Sequence, residues 1–152
     1  DFPTGRFKEL NPSRLGTDVI GGGSYIPTVG LNVSKYVAPF VLYGNLWYSM
    51  PTDFTDDDGK WRPRDFVTVN LAAEYPVTEK WVALLELTST WDGGRLFGKR
   101  PNTPQSALFS VLPGIEYMAT EKLSWALGVS VDLVGKNADA AVTPILSMVY
   151  AF

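Results

Sequence analysis

Residues 141–152 alternate between large apolar side chains and smaller or polar ones. The even positions carry Val142, Pro144, Leu146, Met148, Tyr150 and Phe152. Successive side chains of a β-strand point to opposite faces of the sheet, so a period of two predicts a strand with one apolar face. This strand ends at an aromatic residue, whereas the ends of water-soluble domains usually fray into solvent. The pattern therefore indicates an unusual environment for the last strand.

The same alternation recurs in six earlier segments of the chain. It predicts strands over 24–37, 40–50, 65–75, 80–91, 105–118 and 122–134. Residues 1–23 are rich in glycine, proline and asparagine and are predicted to form a loop. No segment shows a helical period. The sequence therefore predicts an all-β, antiparallel, up-and-down arrangement of about seven strands in a single domain over residues 1–152.

The predicted connections between strands alternate in length. Tight turns are expected near residues 38, 77 and 120, and longer polar loops over 51–64, 92–104 and 135–140. Transmembrane β-barrels combine short periplasmic turns with long outer loops. The alternation therefore favours a transmembrane barrel whose C-terminus and tight turns lie on the periplasmic side.

Aromatic side chains on the predicted apolar faces fall near the strand ends. The candidate membrane-interface girdle consists of Phe40, Tyr75, Trp81, Tyr117, Trp125, Tyr150 and Phe152 on the turn side, and Trp91 on the loop side. Trp81 and Trp91 are separated by roughly 33 Å of extended strand. A tilt of about 40° reduces this to a height near 25 Å, which matches the apolar band of an outer-membrane barrel. A soluble barrel or sandwich, with aromatic residues scattered through a core, predicts no such spacing.

The opposite strand faces carry polar residues that are candidates for the lining of a lumen. They are Asn32, Asn45, Asn70, Glu74, Glu86, Glu116 and Asp132. Acidic residues in the wall of a pore favour cations or accept hydrogen bonds from a solute. The simpler interpretation is that they only solvate the interior of a water-filled barrel. Our hypothesis is that the three glutamates gather towards the periplasmic half and favour the passage of cations.

Two features depart from a regular barrel. Pro113 falls in the middle of a predicted strand, where it predicts a bulge or a change of register. The count of about seven strands is odd, whereas single-chain bacterial barrels close with an even number. Because residues 1–23 do not read as a membrane strand, we expect further strands to precede this part of the barrel.

The composition excludes several classes of function. The chain has no histidine and no cysteine, which excludes disulfides, Cys/His metal sites and histidine-activated nucleophiles. We therefore expect no enzymatic activity, no metal and no cofactor. The net charge of −3 and the absence of a basic stripe argue against nucleic acid as a partner. The acidic run before Gly59 lacks calcium-loop spacing, since the first ligand position would be Phe54, and predicts a solvated loop.

Two further observations concern the whole chain. No run of about 18 apolar residues is present, so no transmembrane helix is predicted. The first residues show neither the basic nor the apolar stretch of a signal peptide, and we expect the chain to be mature, processed or incomplete.

Several stretches resemble a known family. They are residues 1–18, the tetrapeptide 24–27, the segments 43–48 and 112–117, and the terminal aromatic strand. Together they resemble the outer-membrane transporter family named for the meta-pathway of phenol degradation. The resemblance implies the C-terminal part of a barrel of roughly a dozen strands. It also implies uptake of small, often hydrophobic, molecules, and it transfers no ligand-binding residue.

Three hypotheses follow for the function. The first is a channel or transporter for small molecules, including hydrophobic or aromatic compounds, in the outer membrane of a Gram-negative bacterium. Its expected partners are outer-membrane lipid, a small-molecule solute and, because the last strand resembles a barrel-assembly signal, the barrel assembly machinery. The second is a non-conducting anchoring barrel that binds a partner through its outer loops. The third is a soluble, lipocalin-like binder.

Overall fold

The computed structural model describes residues 23–152, and these form an all-β structure. Residues 1–22 lie outside the described part, which leaves the predicted N-terminal loop and the motif at 1–18 without a structural counterpart. Within residues 23–152, no helix has the length and apolarity needed to cross a membrane.

Eleven strands follow one another along the described chain. They are β1 (Thr28–Val37), β2 (Phe40–Ser49), β3 (Phe54–Thr55), β4 (Lys60–Pro63), β5 (Phe66–Pro76), β6 (Trp81–Asp92), β7 (Arg95–Phe97), β8 (Arg100–Thr103), β9 (Ser106–Met118), β10 (Leu123–Lys136) and β11 (Val142–Tyr150). The seven long strands form one antiparallel sheet in the order β1-β2-β5-β6-β9-β10-β11. The predicted antiparallel all-β fold is therefore confirmed, with seven main strands near their predicted positions.

The tight turns lie at one end of this sheet, as predicted. The β1–β2 turn contains a cis peptide bond between Ala38 and Pro39. In the β5–β6 turn, Thr78 Oγ1 accepts hydrogen bonds from the backbone N–H groups two and three residues later, at 3.2 and 3.1 Å. Thr120 Oγ1 does the same in the β9–β10 turn, at 3.2 and 3.0 Å. A threonine side chain therefore stabilises two turns in the same way.

The prediction of two long polar loops at 51–64 and 92–104 was wrong. These segments form a second, four-stranded sheet in the order β3-β4-β7-β8. The ring centroids of Trp61 and Phe97 lie 4.9 Å apart across the β4–β7 pair. The Asp56 carboxylate accepts hydrogen bonds from the backbone of Asp58 and Gly59, each at 3.0 Å, and from Trp61 Nε1 at 2.7 Å. Side-chain contacts between the two segments, together with the hydrogen-bonded turn at Asp56, thus stabilise a separate four-stranded sheet.

The prediction of a register change at Pro113 was also wrong. The β6–β9 ladder runs straight through Pro113, which pairs with Leu85. The β9–β10 ladder leaves Val129 and Ser130 unpaired but resumes in the same register. The actual shift lies between Asp132 and Val134. Because Pro113 has no N–H group, it interrupts the hydrogen bonds between β9 and β10 without changing their register.

The large sheet has two chemically different faces. We call the face that carries Leu31, Leu46, Leu71, Leu85 and Leu146 the apolar face, and the face that carries Asn32, Asn45, Asn70, Thr88 and Asp132 the polar face. Among the described residues, no apolar side chain is buried. Leu31 remains 63% exposed, Leu71 53% and Leu146 69%. Residues 23–152 therefore place no second layer against the apolar face.

The accessible surface of the protein is large for its mass. It measures 10800 Å² for a chain of 16.7 kDa. A water-soluble globular protein of this mass exposes about 7600 Å². The exposed apolar face of residues 23–152 contributes to this excess.

The large sheet curls towards its polar face. Strands β2 and β9 are three positions apart in the sheet, which corresponds to about 14 Å between flat strands. Even so, the Glu116 carboxylate on β9 acts electrostatically on the Tyr43 hydroxyl on β2. On β10, the polar-face residues Ala126, Gly128 and Ser130 are also less exposed than Trp125, Leu127 and Val129 on the apolar face. Curvature towards the polar face explains both observations. The polar face is therefore concave and the apolar face is convex.

Candidate functional site

A row of polar side chains crosses the concave face. Neighbouring strands place Asn32, Asn45, Asn70, Thr88, Ser110 and Asp132 directly opposite one another, from β1 to β10. We call these six residues the polar row. Four of the seven predicted lumen residues belong to it. Thr88 and Ser110 complete it, and the register that aligns them could not be read from any single strand.

Members of the polar row hydrogen-bond to one another. Asn70 Nδ2 donates to Asn45 Oδ1 at 2.6 Å, and Ser110 Oγ donates to Asp132 Oδ1 at 2.5 Å. The second oxygen of Asp132 accepts from the backbone N–H of Ala141 at 2.9 Å. Asp132 therefore also holds the β10–β11 connection beside the register shift, so its carboxylate has a structural role.

The three predicted glutamates lie on the turn side of the polar row. Counted along their strands, Glu86, Glu74 and Glu116 lie two, four and six residues from it. At about 3.3 Å per residue, they descend the concave face in steps of roughly 7 Å. The Tyr43 hydroxyl donates to Glu74 Oε2 at 3.1 Å. Within the described part, Glu86 and Glu116 have no hydrogen-bond or ion-pair partner, which leaves both carboxylates open to solvent or solute.

The predicted lumen residues did not include the one tryptophan that β2 places on the concave face. Trp47 lies opposite Gly30, and a Cβ atom added to Gly30 would come 2.2 Å from Trp47 Cε3. The indole ring therefore occupies the space above the glycine, which only glycine leaves free. A glycine directly opposite a tryptophan on an adjacent strand is the signal that could have revealed this contact.

The candidate girdle residues lie on the convex apolar face, most of them at the turn end. Ring centroids are 5.2 Å apart for Phe40 and Tyr75, 4.7 Å for Trp81 and Tyr117, and 5.4 Å for Tyr150 and Phe152. Trp125 lies opposite Tyr117 on the next strand. The aromatic side chains therefore form a band of neighbouring rings across the turn end of the sheet.

At the loop end of the apolar face, Trp91 lies opposite Val67 and Ala107. Tyr48 also lies opposite Val67, and its hydroxyl donates to the Asp65 carboxylate. This end therefore also carries aromatic rings, and one of them is hydrogen-bonded to a carboxylate. The leucine-rich centre of the apolar face lies between the two ends.

Comparison with known proteins adds no family assignment. No protein-family model matches the chain. No curated protein sequence matches it either.

Proposed function

We propose that the chain is part of a transmembrane β-barrel of the bacterial outer membrane and acts as a channel or transporter for small molecules. The observation that carries this proposal is the pair of opposite faces. The convex face is largely apolar and exposed, whereas the concave face carries the polar row and three glutamates. An outer-membrane barrel turns an apolar face to lipid and a polar face to its interior.

The size of the exposed apolar face supports a lipid environment. Covering one leucine side chain contributes about 1.5–3 kcal/mol relative to leaving it in water. Leucines remain half or more exposed at the centres of several strands, including Leu31, Leu71 and Leu127. A soluble, lipocalin-like barrel would turn such side chains inwards, but here the apolar face is convex. The curvature therefore favours the membrane proposal over a soluble binder.

The direction of the edge strands supports a larger barrel. β1 and β11 each have one neighbour in the described part of the chain, and in a row of seven antiparallel strands they run the same way. Direct pairing of these two edges would be parallel. An antiparallel closure requires an odd number of additional strands, which makes the total even. This agrees with a longer barrel of the kind found in the phenol-degradation transporter family, which the sequence resembles.

The solute class follows from the concave face. Trp47, Tyr43 and the polar row offer aromatic surface together with hydrogen-bonding groups. Small molecules that combine an aromatic or hydrophobic part with a polar group fit this lining. Strand β11 resembles a barrel-assembly signal, so the barrel assembly machinery is a proposed partner, and the tight turns would face the periplasm.

A second candidate function rests on the four-stranded sheet β3-β4-β7-β8. This sheet gives the loop end a defined surface, with Trp61 between Phe54 and Phe97. A non-conducting barrel that anchors such a surface for a partner would also have the two observed faces.

Conductance distinguishes the two functions. For the full-length protein inserted into planar lipid bilayers, we expect stepwise single-channel currents. Protein that inserts but gives no current would favour the anchoring barrel. Protein that stays monodisperse in water without detergent would overturn both membrane functions and favour a soluble binder.

A further inference from the structure

The apolar face contains a depression at Gly44. Among the seven long strands, no other glycine lies on this face. The depression has a volume of about 410 Å³ and is lined by Val33, Lys35, Leu42, Gly44 and Leu71 from three adjacent strands. A Cβ atom on Gly44 would lie 3.3 Å from Val33 Cγ2 and 3.5 Å from Leu71 Cδ2. The missing side chain of Gly44 therefore forms the floor, and its neighbours form the walls.

The depression continues along the sheet towards β6. A second depression of about 260 Å³ shares Leu42 and Leu71 with the first and extends over Ala73 to Leu85 and Leu87. Its lining is aliphatic apart from the neighbouring Tyr43. We call the two together the β1–β6 groove. It offers an open apolar surface across four strands, of the kind that suits a hydrocarbon chain.

A cation lies at the turn end of the groove. Lys35 pairs with Leu42 and lies two residues before the end of β1. It is exposed, and it has no ion-pair partner within residues 23–152. The neighbouring rings of Phe40 and Tyr75 lie at the same end of the apolar face. Lys35 lies two residues from the aromatic band along β1, a distance that a lysine side chain can span, and the groove runs from it towards the centre of the sheet.

We propose that the β1–β6 groove binds one phospholipid, with an acyl chain in the groove and the anionic phosphate at Lys35 Nζ. The inference rests on the membrane placement proposed above. A phospholipid has the same order of groups as the site, with its charge at the interface and its chain towards the membrane centre. A lysine at the membrane surface attracts anionic headgroups, and burial of the chain adds hydrophobic stabilisation. The convex position separates this site from any solute path on the concave face.

Native mass spectrometry of the full-length protein, released from vesicles that contain equal amounts of phosphatidylglycerol and phosphatidylcholine, tests the proposal. We expect one retained phosphatidylglycerol per chain. Lys35→Gln should lower its retention by about fivefold, the effect of one surface lysine on an anionic lipid. Gly44→Leu fills the floor of the groove and should reduce retention of both lipids. Lys136→Gln is the matched control, because it removes a lysine at the loop end of the sheet, away from the groove. We expect it to leave the retention of both lipids unchanged.

The outcomes separate this inference from the proposed function. Equal retention in the wild type, Lys35→Gln and Gly44→Leu, all inserted in the membrane, would overturn the lipid site and leave the barrel proposal standing. Equal losses for Lys35→Gln and Lys136→Gln would reduce the effect to general surface charge and also overturn the site. Failure of the wild type to insert into vesicles would overturn both proposals.

Discussion

Replacing Leu71 with arginine is expected to lower the free energy of unfolding in lipid by about 2–4 kcal/mol, the cost of a basic residue on the lipid face near the bilayer centre. Leu71 is 53% exposed on the apolar face and pairs with Gly44 and Leu87 near the middle of the sheet. In a membrane its side chain contacts hydrocarbon, where a guanidinium group loses its hydration. Denaturant titration of the vesicle-inserted protein, followed by tryptophan fluorescence, gives the change.

The adjacent residue provides the matched control. Ala72 faces the concave side and pairs with Tyr43 and Glu86, so an arginine there remains hydrated and meets a carboxylate. We expect Ala72→Arg to change the free energy of unfolding by less than about 1 kcal/mol, as surface ion pairs do. If both variants lost the same stability, or if Ala72→Arg lost more, the assignment of the two faces would be wrong.

Removing two concave-face charges should weaken cation selectivity. In Glu86→Gln combined with Glu116→Gln, the reversal potential under a potassium chloride gradient is expected to move towards zero. The two carboxylates have no hydrogen-bond or ion-pair partner within the described residues, so their charge is available to permeating ions. The measurement requires single channels in planar bilayers with the same salt gradient for each variant.

The control variant removes the same number of negative charges from the turns instead of from the concave face. Glu79 and Glu121 lie in the β5–β6 and β9–β10 turns and are exposed. Their replacement by glutamine removes the same two charges at the end of the sheet, where salt screens them within about 10 Å. We expect a clearly smaller shift. Selectivity that is unchanged in the Glu86 and Glu116 variant would rule out the cation hypothesis.

The main sheet could be predicted because each strand carries its own signal. Alternation of period two within β5 or β10 gives both the strand and its two faces without knowledge of the neighbours. Proline explains the one boundary that moved by several residues. β1 begins at Thr28 rather than 24, because Pro27 has no N–H for the ladder and supplies only its carbonyl, to Met50 at 2.9 Å.

The four-stranded sheet could not be predicted for the opposite reason. Its strands span only two to four residues, too short to show a period. β4 pairs with β7 from the next loop. Neither segment alone shows a sequence pattern that predicts the contact between Trp61 and Phe97. The register shift between Asp132 and Val134 also depends on the pairing of β10 with β9 and cannot be predicted from β10 alone. These features depend on pairing between distant segments.

The candidate site was predicted in its residue types but not in its arrangement. Sequence alternation placed Asn45, Asn70 and Asp132 on one face, but only the register aligned them with Thr88 and Ser110. The register also separated the polar row from the glutamates, which lie at different heights. The groove at Gly44 depends in the same way on the side chains of two neighbouring strands.

The most direct test of the membrane proposal is cysteine accessibility along β5 in lipid vesicles. The chain has no cysteine, so each variant in the series 67–75 carries a single thiol. We expect a membrane-impermeant, water-soluble thiol reagent, present on both sides of the vesicle membrane, to label positions 68, 70, 72 and 74, and to leave 67, 69, 71, 73 and 75 unlabelled. That alternation requires lipid on the apolar face and water on the polar face. Uniform labelling at every position, or labelling of the odd positions instead, would contradict the proposal.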